Sequence, residues 1–162
     1  METDKEIYFY SLKNKYGYMS NFFNTPFKDF DNNDFTSSEQ YFMYQKCKEF
    51  DPNNKELLEN ILKENDPAKI KIYGRQVQHY NEDVWDKKRY NIMLDGLKLK
   101  FTQNKVIKDE LILTKPKLLY EASQKDKIWG IGYYASDAIH LDKNKFGRNL
   151  LGKALMELRS IL

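Results

Sequence analysis

Residues 36–46 read TSSEQYFMYQK, and this stretch opens a helix. Thr36-x-x-Glu39 has the form of a capping box, in which a hydroxyl accepts from a backbone N–H and a carboxylate reaches back. Behind it Tyr41, Phe42, Met43 and Tyr44 are apolar enough to be held inside. Glu39 and Lys46 are the two residues out of place in a buried helix. Being seven apart, they lie on one face, roughly 10 Å apart along the axis. A carboxylate and an amine beside buried aromatics suit acid/base and nucleophilic chemistry. A plainer reading stands beside this one: Glu39 closes the capping box, and Lys46 snorkels to solvent at the helix end.

The chain of 162 residues is long enough for one domain with a real core and short for two. The expectation is a single domain over residues 1–162, with its core from about 7 to 161. A hydrophobic share of 41% and a charged share of 31% describe a soluble globular protein. The 24 acidic and 27 basic residues leave a formal charge of +3, too weak to argue for a nucleic-acid footprint. Aromatics reach 15%, which serves either a core or a pocket that stacks flat ligands. Cys47 is the only cysteine, so no internal disulfide forms and a reducing, cytoplasmic setting is expected. There is no basic leader followed by an apolar run, and no apolar stretch of the ~18 residues that spans a bilayer. Two histidines, His79 and His140, with one cysteine do not suggest zinc.

Outward from the central helix, Ile7–Tyr10 reads as a strand and residues 14–18 as a turn around Gly17. Asn21 sits among apolar residues, where its carboxamide either binds a ligand or fixes the loop. Asp51-Pro52-Asn53 ends the central helix. Residues 55–64 are a helix with Leu57, Leu58, Ile61 and Leu62 at helical spacing. Asp66 caps the next helix, with Pro67 at its first position. Gly74 is a natural stop, and Arg75 directly after it is either solvated or set to bind phosphate.

Asp83 opens a long helix to about Lys100, with Trp85, Arg89, Met93 and Leu97 on one stripe. Arg89 there needs an acidic partner. Residues 106–113 form a helix capped by Asn104, and Leu118–Ala122 a short strand. Residues 123–134, SQKDKIWGIGYY, make a loop broken by Gly130 and Gly132, with Trp129 as core plug or stacking platform. Its GIG is not a dinucleotide fingerprint, because the spacing and the following helix are missing. The last helix, residues 148–162, turns Leu151, Leu155 and Leu158 inward, and Gly152 permits close packing.

In order along the chain stand Ser20-Asn21-Phe22, Ser38-Glu39-Gln40-Tyr41-Phe42 with Lys46, Asp66-Pro67, Gly74-Arg75, Trp85, Arg89, Met93, Lys100-Phe101, Glu121-Ala122-Ser123, Asp126, Trp129-Gly130-Ile131-Gly132 and Asn149-Leu150-Leu151-Gly152. This ordered set resembles the NADAR, or YbiA-like, family over nearly the whole chain. Two departures show: Gln40 stands where the family usually has histidine, and residues 133–145 are longer and more polar than its pattern.

The resemblance implies an α+β fold, one mostly helical domain with a small β-sheet. It implies hydrolysis of N-glycosidic bonds, either in ribosylamino intermediates of riboflavin synthesis or in ADP-ribosylated guanine bases of DNA or RNA. It implies work without a metal or other cofactor, with no membrane and no protein partner. A nucleotide-binding module without chemistry is the alternative. Under the resemblance Glu39, Lys46 and Asp126 are the catalytic candidates. Asn21, Tyr41, Arg75, Trp85, Trp129 and Gly130 are the substrate-binding ones, with Arg75 first choice for phosphate. Arg89 is read as a structural ion-pair partner.

Overall fold

The computed structural model describes residues 1–162. In chain order the elements are β1 (Glu6–Phe9), β2 (Phe27–Lys28), β3 (Asp34–Phe35), α1 (Ser38–Phe50), α2 (Lys55–Lys63), α3 (Pro67–Arg75), α4 (Glu82–Thr102), α5 (Lys105–Leu113), β4 (Leu118–Glu121), α6 (Ala135–Ala138) and α7 (Leu150–Ile161). The fold is α+β and mostly helical. Its strands form two separate two-stranded pieces rather than one small sheet. The chain divides into two compact units, Asn21–Lys105 and Met1–Ser20 with Val106–Leu162.

In the unit Asn21–Lys105, side-chain caps start the helices. Asn54 Oδ1 accepts from Leu57 N at 3.1 Å, Asp66 Oδ1 from Ala68 N at 2.9 Å, and Asn81 Oδ1 from Val84 N at 3.0 Å. Each bond satisfies an amide that the helix itself leaves unpaired. Asp66 and Pro67 are placed as the sequence predicts. The long helix starts one residue earlier than expected and is capped by Asn81 rather than opened by Asp83.

Gly74 is a correction. It does not stop α3, which runs on through Arg75. A Cβ at Gly74 would lie 1.9 Å from Met43 Sδ, so the glycine lets α3 and α1 approach. Gly96 does the same between α4 and the Tyr41 ring, which a Cβ would meet at 2.5 Å. Phe27 and Phe35 stack at 5.7 Å, and Tyr41 meets Phe35 edge-on at 5.4 Å. These three buried rings form one apolar cluster.

In the other unit β1 and β4 pair in parallel, with Ile7 opposite Leu119. α7 lies against β4, close enough that a Cβ at Gly152 would meet Leu119 O at 2.2 Å. Leu151, Leu155 and Leu158 are fully buried, as their spacing predicts. Asn149 adopts φ 52°, in the left-handed region that asparagine tolerates. Its side chain accepts from Glu121 N at 3.1 Å and donates to Leu119 O at 2.9 Å, tying the start of α7 to β4.

The polar segment 133–145 holds α6 and a 3-10 turn at Lys143–Lys145. Lys143 pins it: Nζ donates to Tyr8 Oη at 2.6 Å and reaches the Glu6 carboxylate at 3.0 Å. The same amine lies 5.1–5.5 Å from the rings of Tyr8, Tyr120 and Phe146. No helix is long and apolar enough to cross a membrane.

Candidate functional site

The start of α1 departs from the expected capping box by one residue. Ser37, not Thr36, is the N-cap, and its Oγ accepts from Gln40 N at 3.2 Å. Gln40, not Glu39, reaches back, accepting from Thr36 N at 2.7 Å. Its Nε2 points the other way, within 2.8–3.2 Å of the carbonyls of Ile61, Leu62 and Glu64 at the end of α2. Gln40 therefore joins the first turn of α1 to the last turn of α2, carbonyls that a helix end leaves unsatisfied. The reach-back that the plainer reading gave to Glu39 is made by Gln40. Glu39 is 7% exposed, and its backbone N–H donates to Asn21 O at 3.0 Å. Asn21 Oδ1 accepts from Ser38 Oγ at 2.9 Å, so this carboxamide fixes the loop to the helix.

Lys46 does not snorkel free. It is half-buried, its Nζ donates to Gly74 O at 2.8 Å, and the Tyr80 ring centroid lies 4.6 Å away. Burial holds its pKa below the ordinary lysine value, with Arg89 and Arg75 adding to the depression and Glu39 and Glu82 opposing it. Partial withdrawal from water disfavours the ammonium, the direction that an amine nucleophile needs. Tyr80 is 42% exposed. Its hydroxyl donates to Glu82, which also accepts from Arg89, and its ring stands edge-on to Phe50 at 5.3 Å. Arg89, 4% exposed, has Asp86 as a second acid at 3.4 Å, the ion-pair role its sequence context implies.

Other candidates in this unit take plainer places. Trp85 is 3% exposed and packs on Phe42 at 4.9 Å and Phe50 at 5.9 Å. It is core, not a base-stacking surface. Tyr41 is 9% exposed within the apolar cluster, and burial pushes its phenol up to about 12; it too is core. Arg75 is exposed at the end of α3. Cys47 is fully buried and its thiol is pushed up to about 11 by burial, which makes it inert.

In the other unit, loop 123–134 is built around the start of α7. The carbonyls of Lys127, Ile128, Trp129 and Gly130 accept from the amides of Arg148, Leu150, Leu151 and Asn149. Asp126 Oδ1 accepts from Ile128 N and Trp129 N, both at 2.8 Å, so this carboxylate shapes the turn that presents Trp129. Trp129 is half-buried. Gly130 is required sterically, since a Cβ there would sit 2.9 Å from Asp126 O and 3.0 Å from Glu121 O.

Sequence reasoning missed Tyr80 and Glu82. The one signal was an aromatic and an acid flanking the helix cap Asn81. It placed Lys100 only in the ordered set, with no role, and the residue is fully buried on α4. No group of three or more histidine, cysteine or acidic side chains converges to hold a metal.

The family model for the NADAR domain matches residues 8–162. The chain is 39% identical over 167 residues to N-glycosidase R617 of Acanthamoeba polyphaga mimivirus, covering 98% of this chain and 97% of that protein. It is 32% identical over 159 residues to N-glycosidase YbiA of Shigella flexneri, covering 98% and 89%. The NMR structure of the E. coli protein YbiA matches with a TM-score of 0.78 at 30% identity, over 99% of this chain and 86% of that one. With a family match across almost its whole length and an α+β, mostly helical fold shared with a solved relative, this chain belongs to the NADAR domain family.

Proposed function

We propose that this protein is an N-glycosidase that hydrolyses the bond between a ribose C1 and a nitrogen base. The substrate class is an ADP-ribosylated guanine base or a related ribosylamino compound. One observation carries the reading: a half-buried amine, Lys46, with its pKa lowered, on the same helix as the buried carboxylate of Glu39. The names of the relatives, N-glycosidase R617 and N-glycosidase YbiA, support the same reaction class.

Breaking a glycosidic C–N bond builds positive charge at C1. Glu39, as a carboxylate, stabilises that charge; as a carboxylic acid, it donates the proton that the departing base nitrogen takes up. The C1–ring-oxygen bond breaks as the base nitrogen forms a C1=N bond and the ring oxygen takes up a proton. Lys46, once neutral, then adds its electron pair to C1, passes a proton to the base nitrogen, and forms an imine as the C1–base bond breaks. Water then hydrolyses the imine, returning the amine and leaving the sugar with the water oxygen. The sum is substrate plus water giving free base and free sugar. Gly74 O holds the ammonium in the resting state and must be released before the amine can attack.

The test is incubation with guanine-ADP-ribosylated single-stranded DNA, with adduct loss followed by mass spectrometry. Turnover by the native protein and a fall of roughly 10²–10⁴-fold in Glu39→Gln is expected. Equal turnover by the variant would remove Glu39 from the chemistry. Tight binding with no product from any such substrate would mark a binding module.

A further inference from the structure

We propose that Tyr80 is a positioning residue for Lys46: its ring covers the amine, and its hydroxyl is anchored through Glu82 to Arg89. This rests on the reading of Lys46 as the nucleophile. The amine lies between two groups, Gly74 O at 2.8 Å and the Tyr80 ring centroid at 4.6 Å. The ring is itself held on two sides, by Phe50 edge-on and by the bond from its hydroxyl to Glu82. Glu82 accepts in turn from Arg89, whose guanidinium is nearly fully buried on α4. The segment joining α3 to α4 turns immediately before the tyrosine, where His79 adopts φ 59°, a conformation that few non-glycine residues take. These contacts leave Tyr80 little freedom to leave Lys46.

The charged groups around Lys46 do not decide its state by themselves. Glu39 on α1 and Glu82 on α4 favour the ammonium; Arg75 on α3 and Arg89 on α4 disfavour it. Two acids oppose two arginines, and burial is the largest influence. Tyr80 sets its ring beside the amine from the segment between α3 and α4. Its face also attracts the cation; on the reading proposed here, the water that the ring keeps from the amine outweighs that attraction. Removing the ring therefore leaves Lys46 more basic and its side chain less confined.

Reductive methylation of the full-length protein with formaldehyde and cyanoborohydride, from about pH 6 to about pH 10, reads this directly. Mass spectrometry of the Lys46 peptide gives the pH midpoint of its reactivity, because only the neutral amine reacts. Tyr80→Ala is expected to raise the midpoint by about one pH unit, with the pH–rate profile of base release moving alkaline in parallel. Tyr80→Phe, which keeps the ring but loses the bond to Glu82, is expected to move the midpoint in the same direction by less than Tyr80→Ala does. An unchanged or lowered midpoint in Tyr80→Ala would overturn the proposal. The methylation readout does not need turnover. If Lys46→Ala kept its glycosidase activity, the nucleophile reading would fall, while the midpoint would still decide whether Tyr80 sets the state of the amine.

Discussion

Lys46 near the end of α1 and Lys100 near the end of α4 belong to the same unit, and burial lowers the pKa of both. Lys100 is the more perturbed, brought down to about 7 with burial as its one cause. It is 0% exposed, with the rings of Phe23 and Phe101 5.6 Å and 5.3 Å from its Nζ. Lys46 is only half-buried and sits amid Glu39, Glu82, Arg75 and Arg89. A ranking by perturbation alone would choose Lys100 as the reactive amine. Access reverses that choice, since a nucleophile has to touch its substrate. A lowered pKa marks withdrawal from water, which a core position produces as readily as a site does.

The widest gap should appear in catalysis. Lys46→Met is expected to lower kcat/KM for base release by about 10³-fold or more, the loss of a covalent nucleophile. Lys100→Met is expected to keep the rate within about threefold of native. Initial rates on one ribosylated substrate, with circular dichroism to verify folding, make the comparison. If Lys100→Met were the dead variant and Lys46→Met the active one, the assignment of the two amines would be reversed.

Stability should separate them in the opposite sense. Lys100 has a folded pKa of about 7 against 10.5 for a free lysine. Below pH 7 it is protonated in both states, and the whole cost of burying the ammonium is present. Between the two values the unfolded chain binds more protons, so stability rises with pH. Above 10.5 the amine is neutral in both states and the cost is gone. From pH 7 to about pH 9 the native protein is expected to gain on the order of 2 kcal/mol from this group, and Lys100→Met to lack that gain. Lys46 contributes with the same sign, but it is present in both proteins and cancels in the difference. Urea unfolding at the two pH values measures it; equal slopes would show that the buried amine does not titrate in this range.

The sequence made the helices legible wherever the signal was local. Asp66-Pro67 starts α3, and the leucine spacing of α7 faces inward. It misled where a choice depended on a distant partner. Thr36, Ser37 and Ser38 offer three successive hydroxyls, and the cap falls on Ser37 because Gln40 is also engaged with the end of α2. Gly74 has the look of a helix stop, yet it is a glycine because Met43 occupies the space of its Cβ. Glu39 and Lys46 were visible as misfits on one helix. Tyr80 was not, because its role comes from lying over an amine on another element, and no periodicity reports that. Lys100 stood in the ordered set without a role because a lysine in a helix ordinarily reads as solvated.

The smallest effect expected is at Arg75, which sharpens the contrast by testing one of the charged groups that act on Lys46. Arg75 is exposed at the C-terminal end of α3, where the helix dipole favours a cation and does nothing to hold an anion. Any phosphate recognition there must come from the guanidinium itself, in water, and so be modest. Arg75→Ala is expected to raise KM about tenfold for a phosphorylated riboside while leaving kcat nearly unchanged, an effect of about 1.4 kcal/mol. The same variant should barely change the kinetics of the unphosphorylated riboside, and added salt should narrow the difference between the two substrates. Arg75 also disfavours the ammonium form of Lys46, so its removal should move the pH–rate profile slightly alkaline for both substrates alike. A loss of equal size on both substrates, with no dependence on salt, would mean that Arg75 acts through Lys46 and not on phosphate.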